Sequence, residues 1–150
     1  MQRTLGTIMG TKLESQPDDS FAAGTYSDRY IDGVNYLNNL YPKTQEISEI
    51  FDIDKVKTEI HEGRPVIMAY GGACSDGNGG YVDCDESGHA IVIHGYMGNI
   101  KLIGNFGWGP NSAHRTLDFN GNYFNTDLPS SYYSPSDREG YFRRFHFVRF

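Results

Sequence analysis

Long apolar runs are missing from this sequence. Stretches such as AIVI at 90–93 fall far short of the ~20 residues that a bilayer-spanning helix needs, and no charged-then-apolar leader follows Met1. No membrane partner is expected. A basic stripe is missing as well: 13 Lys and Arg against 19 Asp and Glu leave a formal charge of −6, and the cations stay scattered until the terminal RRFHFVRF. Without a cationic track for phosphates, nucleic acid is not an expected partner. Cysteine is scarce, with only Cys74 and Cys84, and no second Cys or His pair stands at zinc-finger spacing. The two lie close enough to close as a disulfide in an oxidising compartment, or to remain thiols inside a cell; the spacing leaves both open. There is no internal repeat and no low-complexity tract.

What is present suits one folded domain. The chain has 150 residues, 38% of them apolar and 14% aromatic, spread along the sequence rather than clustered. That is long enough for a core and too short for two ordinary domains.

The apolar period starts helical and then changes. QRTLGTIM at 2–9 and DRYIDGVNYLNNLY at 28–41 predict two opening helices, the second lining Ile31, Val34, Leu37 and Tyr41 on one face, with Ser27 or Asp28 as its cap. ESQPDDSFAAGTYS between them reads as a surface loop. DIDKVKTEIHEG predicts a third, short helix: Asp52 or Asp54 caps it, Val56 and Ile60 face inward, and Gly63 stops it. Thereafter PVIMAY, HAIVIHGY, IKLIGNFGW and YFRRFHFVRF read as strands. The tail NYFNTDLPSSYYSPSDREGYF reads as an aromatic-rich loop. Short helices followed by a twisted antiparallel sheet indicate an α+β fold.

GNI at 98–100 marks a tight reversal, so 89–96 and 100–107 should form an antiparallel hairpin. With the loop at Met97–Asn99, His89 stands opposite Gly107 and diagonal to Asn105 on the same face. A histidine that serves as a base keeps one ring nitrogen free and needs the other held by a fixed acceptor. The Asn105 carboxamide would be that acceptor, and Trp108, the only tryptophan, would cover the contact and keep water out; the alternative is a structural histidine at the strand start, satisfied by neighbouring backbone. His94, five residues on, points to the other face unless a bulge intervenes, and reads as a packing or second-sheet polar residue.

The order EGRPVIMAYGG, SGHAIVIHGY, GNFGWG resembles the second half of papain-like cysteine peptidases, most closely the streptopain family. Its members carry a GHA strand followed by an Asn-aromatic-Gly-Trp-Gly strand. The resemblance spans about residues 2–110 and implies a papain-like fold, peptide-bond hydrolysis on protein or peptide substrates, an extracellular or cell-envelope location and no cofactor. It implies His89 as general base, Asn105 as its orienter and Trp108 as its shield. Two departures stand out: Phe106 replaces the usual tryptophan, and the GGACSDGNGGYVDCDES loop is longer than the pattern.

The family's nucleophile is a cysteine at the start of a helix well before the histidine, and no such residue is found here. A reactive thiolate wants a helix N-terminus and a nearby cation. Cys74 lies instead in a glycine-rich loop beside Asp76, Asp83, Asp85 and Glu86, whose charges would oppose its ionisation. The same loop could offer Asp76, Asn78, Asp83 and Asp85 to calcium, although it lacks the spacing of an EF-hand, and it reads equally as a solvated acidic loop. The chain is therefore expected to be the His/Asn-bearing C-terminal half of a peptidase, with a complementary segment or chain supplying the cysteine. The alternative is a catalytically silent peptide-binding module.

Overall fold

The computed structural model describes residues 8, 12–15, 21–24, 32, 33, 35, 36, 44–84 and 88–149. The chain divides into two compact units, residues 1–45 with 149–150, and residues 46–148. In the first unit, strands β1 (Lys12–Ser15) and β2 (Phe21–Gly24) pair antiparallel, with Lys12 opposite Gly24 and Ser15 opposite Phe21. This corrects the surface loop expected over 14–27. Turn formers mark where a chain reverses and do not tell whether its flanks pair. Residue 8 and residues 32, 33, 35 and 36 are helical, as expected of the two opening helices; the rest of both segments, with the cap at 27–28, lies outside the described residues.

Strand β3 (Thr44–Ser48) precedes helix α1 (Ile53–His61). The helix begins where the sequence places it: the Asp52 side chain accepts a hydrogen bond from the Lys55 N–H at 3.0 Å, satisfying an otherwise orphaned donor of the first turn. It ends before Gly63, which takes φ +74°. Val56 is fully buried and Ile60 packs partly buried against the core. Glu59, also buried, is paired with Arg64 at 2.7 Å.

Beyond α1 the strands are β4 (Val66–Gly71), β5 (Ala73–Ser75), β6 (Tyr81–Asp83), β7 (His89–Met97), β8 (Lys101–Asn105), β9 (Arg115–Asn120), β10 (Tyr123–Thr126) and β11 (Glu139–Arg149). The main sheet runs β10-β9-β8-β7-β4-β11-β3, and β10 also pairs with β11. That second pairing closes six strands into a barrel and leaves β10 no free edge. Its interior holds Met68, Ile91, Ile93, Leu102, Leu117, Phe124, Phe145 and Phe147, all at most 2% exposed. The architecture is thus a mixture of helix and antiparallel sheet. The β10 strand corrects the reading of residues 122–142 as a loop throughout; the Asn120-Gly121 pair, with Gly121 at φ +62°, is the hairpin signal that marks it.

The β7–β8 hairpin differs from expectation in register. Its reversal is Gly98–Ile100, with Met97 opposite Lys101, and a bulge at His94 then shifts the pairing so that Val92 faces Asn105. One added residue on one strand exchanges the faces beyond it.

β5 and β6 form a separate hairpin crosslinked by a Cys74–Cys84 disulfide, which decides the question that spacing left open. The Asp83 carboxylate is held by the Arg143 guanidinium in two hydrogen bonds, at 2.5 and 2.8 Å, and Tyr81 stacks on Tyr123 of β10 at 3.8 Å. Asp76 accepts from the backbone N–H groups of Asn78 and Gly80, both at 2.8 Å. Two of the carboxylates considered for calcium are therefore engaged within the protein, and Asp85 lies outside the described residues.

Three histidines are held below their usual pKa. Burial lowers His89; burial and then the charge of His114 lower His94; burial and then the charge of Arg144 lower His146, to about 4. Unfolded rings take up protons near pH 6.5 while the folded ones resist, so the unfolded state binds more protons and stability falls with acid. The midpoint of thermal unfolding is expected to drop steadily between pH 6.5 and about 4, and to fall less steeply in His146→Gln. A midpoint independent of pH over that window would contradict the burial of these rings.

Candidate active site

His89 opens β7 opposite Tyr70 of β4. It shares the parity of Ile91 and Ile93, which face the barrel interior, while Val92 between them is exposed. Because Asn105 pairs directly with Val92, its side chain lies on the other face of the sheet from His89. The expected imidazole–carboxamide contact is therefore not made. The Asn105 side-chain oxygen instead accepts the Gly107 N–H at 2.9 Å, within its own loop.

A different acceptor takes the place meant for Asn105. Nε2 of His89 lies 2.7 Å from the carbonyl oxygen of Phe106. A carbonyl can only accept, so Nε2 is the protonated nitrogen and the neutral ring keeps its lone pair on Nδ1. The loop geometry follows from its glycines: Gly107 and Gly109 have φ of +76° and +101°, backbone that residues with a Cβ seldom adopt. Ser112, fully buried, pins the turn from beneath. Its carbonyl accepts the Phe106 N–H at 3.1 Å, and its hydroxyl accepts the Trp108 N–H at 2.9 Å.

Trp108 stands where the sequence expects it. Its ring stacks on His89 at 4.5 Å with 28° between the planes, and Tyr133 continues the stack 5.8 Å beyond Trp108. The indole covers the imidazole while remaining 39% exposed itself. Burial lowers the His89 pKa and outweighs the Phe106 hydrogen bond, which acts to raise it, so the ring is a neutral acceptor at pH 7. His94 sits apart, at the bulge, edge-on to His114 at 4.9 Å.

His89 and Trp108 line a cleft of about 300 Å³ with Tyr70, Gly88, Asp137 and Glu139 among its other walls. Sequence reasoning misses Tyr70, Ser112, Asp137, Glu139 and the Phe106 carbonyl. Tyr70 could be found from the β4–β7 register once known. Asp137 and Glu139 belong to no motif, and a backbone carbonyl leaves no trace in residue type.

Neither cysteine is a nucleophile in this form, since the two present in the sequence are joined to each other. A thiol-directed peptide epoxide is expected to label neither Cys74 nor Cys84, as read by mass spectrometry of the unreduced chain; labelling of either would undo this assignment.

No curated protein and no solved structure matches the chain. Residues 2–127 do match the model of the Peptidase_C39 like family, and with most of its length covered the chain belongs to that family.

Proposed function

We propose that this chain provides the general base and a substrate cleft for peptide-bond hydrolysis by a streptopain-like cysteine peptidase of papain-like fold. The observation that carries the reading is the His89 ring. Its Nε2–H is anchored on the Phe106 carbonyl, its Nδ1 is left to accept, and Trp108 lies across it. Nδ1 takes the proton of a thiol brought to the cleft, and the thiolate attacks the scissile carbonyl carbon. The imidazolium then protonates the leaving amine as the C–N bond breaks. Water, deprotonated by the same ring, hydrolyses the thioester and restores the thiol. Asn105 acts at one remove, by holding through Gly107 the loop that presents the Phe106 carbonyl.

The thiol comes from a segment or chain outside this sequence, because both cysteines here are crosslinked. That crosslink supports an extracellular or cell-envelope setting, where disulfides persist. It also favours the second reading, a silent module that binds peptides in the same cleft. Expressing this chain together with any further coding sequence contiguous with it, and assaying a fluorogenic peptide library, separates the two. Turnover abolished by thiol alkylation supports the peptidase, and tight peptide binding without turnover supports the module.

A further inference from the structure

Tyr70 has an uncommon environment for a buried phenol. It is 6% exposed, wedged edge-on against His89, Phe106 and Phe124 at 5.8, 6.1 and 5.1 Å. Its hydroxyl has no hydrogen-bond partner among the described residues, although buried tyrosines ordinarily find one. The hydroxyl is not among the unpartnered atoms sealed from solvent, and the residue lines the His89 cleft. A donor or acceptor placed in the cleft can supply that partner.

Two carboxylates line the same space. Asp137 uses Oδ2 to accept from the Ser134 N–H and hydroxyl, at 2.8 and 2.6 Å. Glu139 uses Oε2 to accept from the Tyr123 hydroxyl at 2.9 Å. Neither has a cationic partner among the described residues, unlike Asp83, Glu59 or Asp118, each of which is paired with Arg or Lys. Among the described residues, Oδ1 of Asp137 and Oε1 of Glu139 have no hydrogen-bond partner. Burial, and then the charge of Asp137, push the Tyr70 pKa upward, so the hydroxyl remains a neutral group that can accept a donor through its oxygen.

We propose that the cleft beside His89 selects a cationic group of a peptide, an ammonium or guanidinium, which Glu139, Asp137 and the Tyr70 hydroxyl receive together. Three oxygen acceptors match the donor set of an ammonium, and the Arg143 guanidinium, which lies against Gly71 and Gly88 of the cleft wall, is engaged by Asp83. The net charge of −6 draws such peptides toward the protein at low salt. The proposal rests on reading this cleft as the substrate cleft, and it supplies the specificity that His89 chemistry lacks: basic peptides are preferred.

The test is calorimetric titration of the chain with a short lysine-containing peptide, its norleucine counterpart, and N-acetylated forms of both, with Trp108 fluorescence followed in parallel. The lysine peptide is expected to bind roughly tenfold more tightly than the norleucine peptide, and Glu139→Gln or Tyr70→Phe should each cut that preference several-fold. Both variants preserve shape, and equal unfolding midpoints exclude a folding defect. If acetylation removes the preference instead of norleucine substitution, the cation received is the α-ammonium, and the subsite still stands. Equal affinity for charged and neutral peptides, with Trp108 perturbed by both, overturns the cationic subsite while leaving the substrate cleft. Absence of any Trp108 response to any peptide overturns the cleft itself.

Discussion

Replacing His89 with Ala in the thiol-complemented enzyme is expected to lower kcat/KM by about a thousandfold or more, with a stability loss of no more than ~2 kcal/mol. General acid–base catalysis contributes roughly 10²- to 10⁴-fold, and in the proposed mechanism the same ring activates the thiol and protonates the leaving amine. The fold suffers little because the residue stands at the mouth of β7, where its removal forfeits the Trp108 stack, the Tyr70 edge contact and one hydrogen bond. Since burial holds its pKa below the usual value, the acid limb of kcat/KM should lie below pH 6.5. Asn105→Ala provides the contrast. If the Phe106 carbonyl orients the imidazole, losing the Asn105–Gly107 hydrogen bond loosens the loop and costs about tenfold, and Asn105→Asp, which keeps an acceptor for Gly107, restores most of it. An Asn105→Ala loss as deep as that of His89→Ala, with no rescue by Asp, would return the orienting role to the carboxamide.

Gly140→Ala is expected to destabilise the barrel by about 3 kcal/mol, read from urea unfolding. A Cβ at residue 140 would lie 2.6 Å from Cζ of Phe124 and 2.7 Å from Cδ2 of Tyr70. Both are rigid rings, Phe124 fully buried and Tyr70 nearly so, and each packs edge-on against the other. Neither can swing aside without opening the interior, so the methyl forces the strands apart or drives Tyr70 into the cleft. Gly71→Ala is the milder counterpart, because its close contacts are the ends of the Arg143 and Asp83 side chains, which can shift while giving up part of their ion pair. Equal midpoints for Gly140→Ala and the parent would show that the two rings are not packed as described.

The parts of the protein that were legible in the sequence are those settled by near neighbours. Asp52, Val56, Ile60 and Gly63 specify α1 because cap, buried face and stop all fall within a few turns of one element. The GHA and NFGWG stretches suffice to bring Trp108 over His89, since a hairpin with a short loop joins them. The β1–β2 pairing and β10 were missed for a related reason: their strands are short, and pairing partners, not propensity, make them strands.

By itself, then, the sequence determined an acidic chain without a long apolar run, a capped helix, a strand hairpin carrying a histidine and an indole, and two cysteines within reach of each other. Only the tertiary structure decided which acceptor holds His89. A single bulge at His94 moves Asn105 to the opposite face, because side chains alternate with period two and a shift of one residue inverts every position beyond it. The tertiary structure also decided what lines the cleft. Tyr70, Asp137 and Glu139 converge on His89 only through the pairing of β4 with β7 and β11, contacts between residues too far apart in sequence for any local pattern to encode.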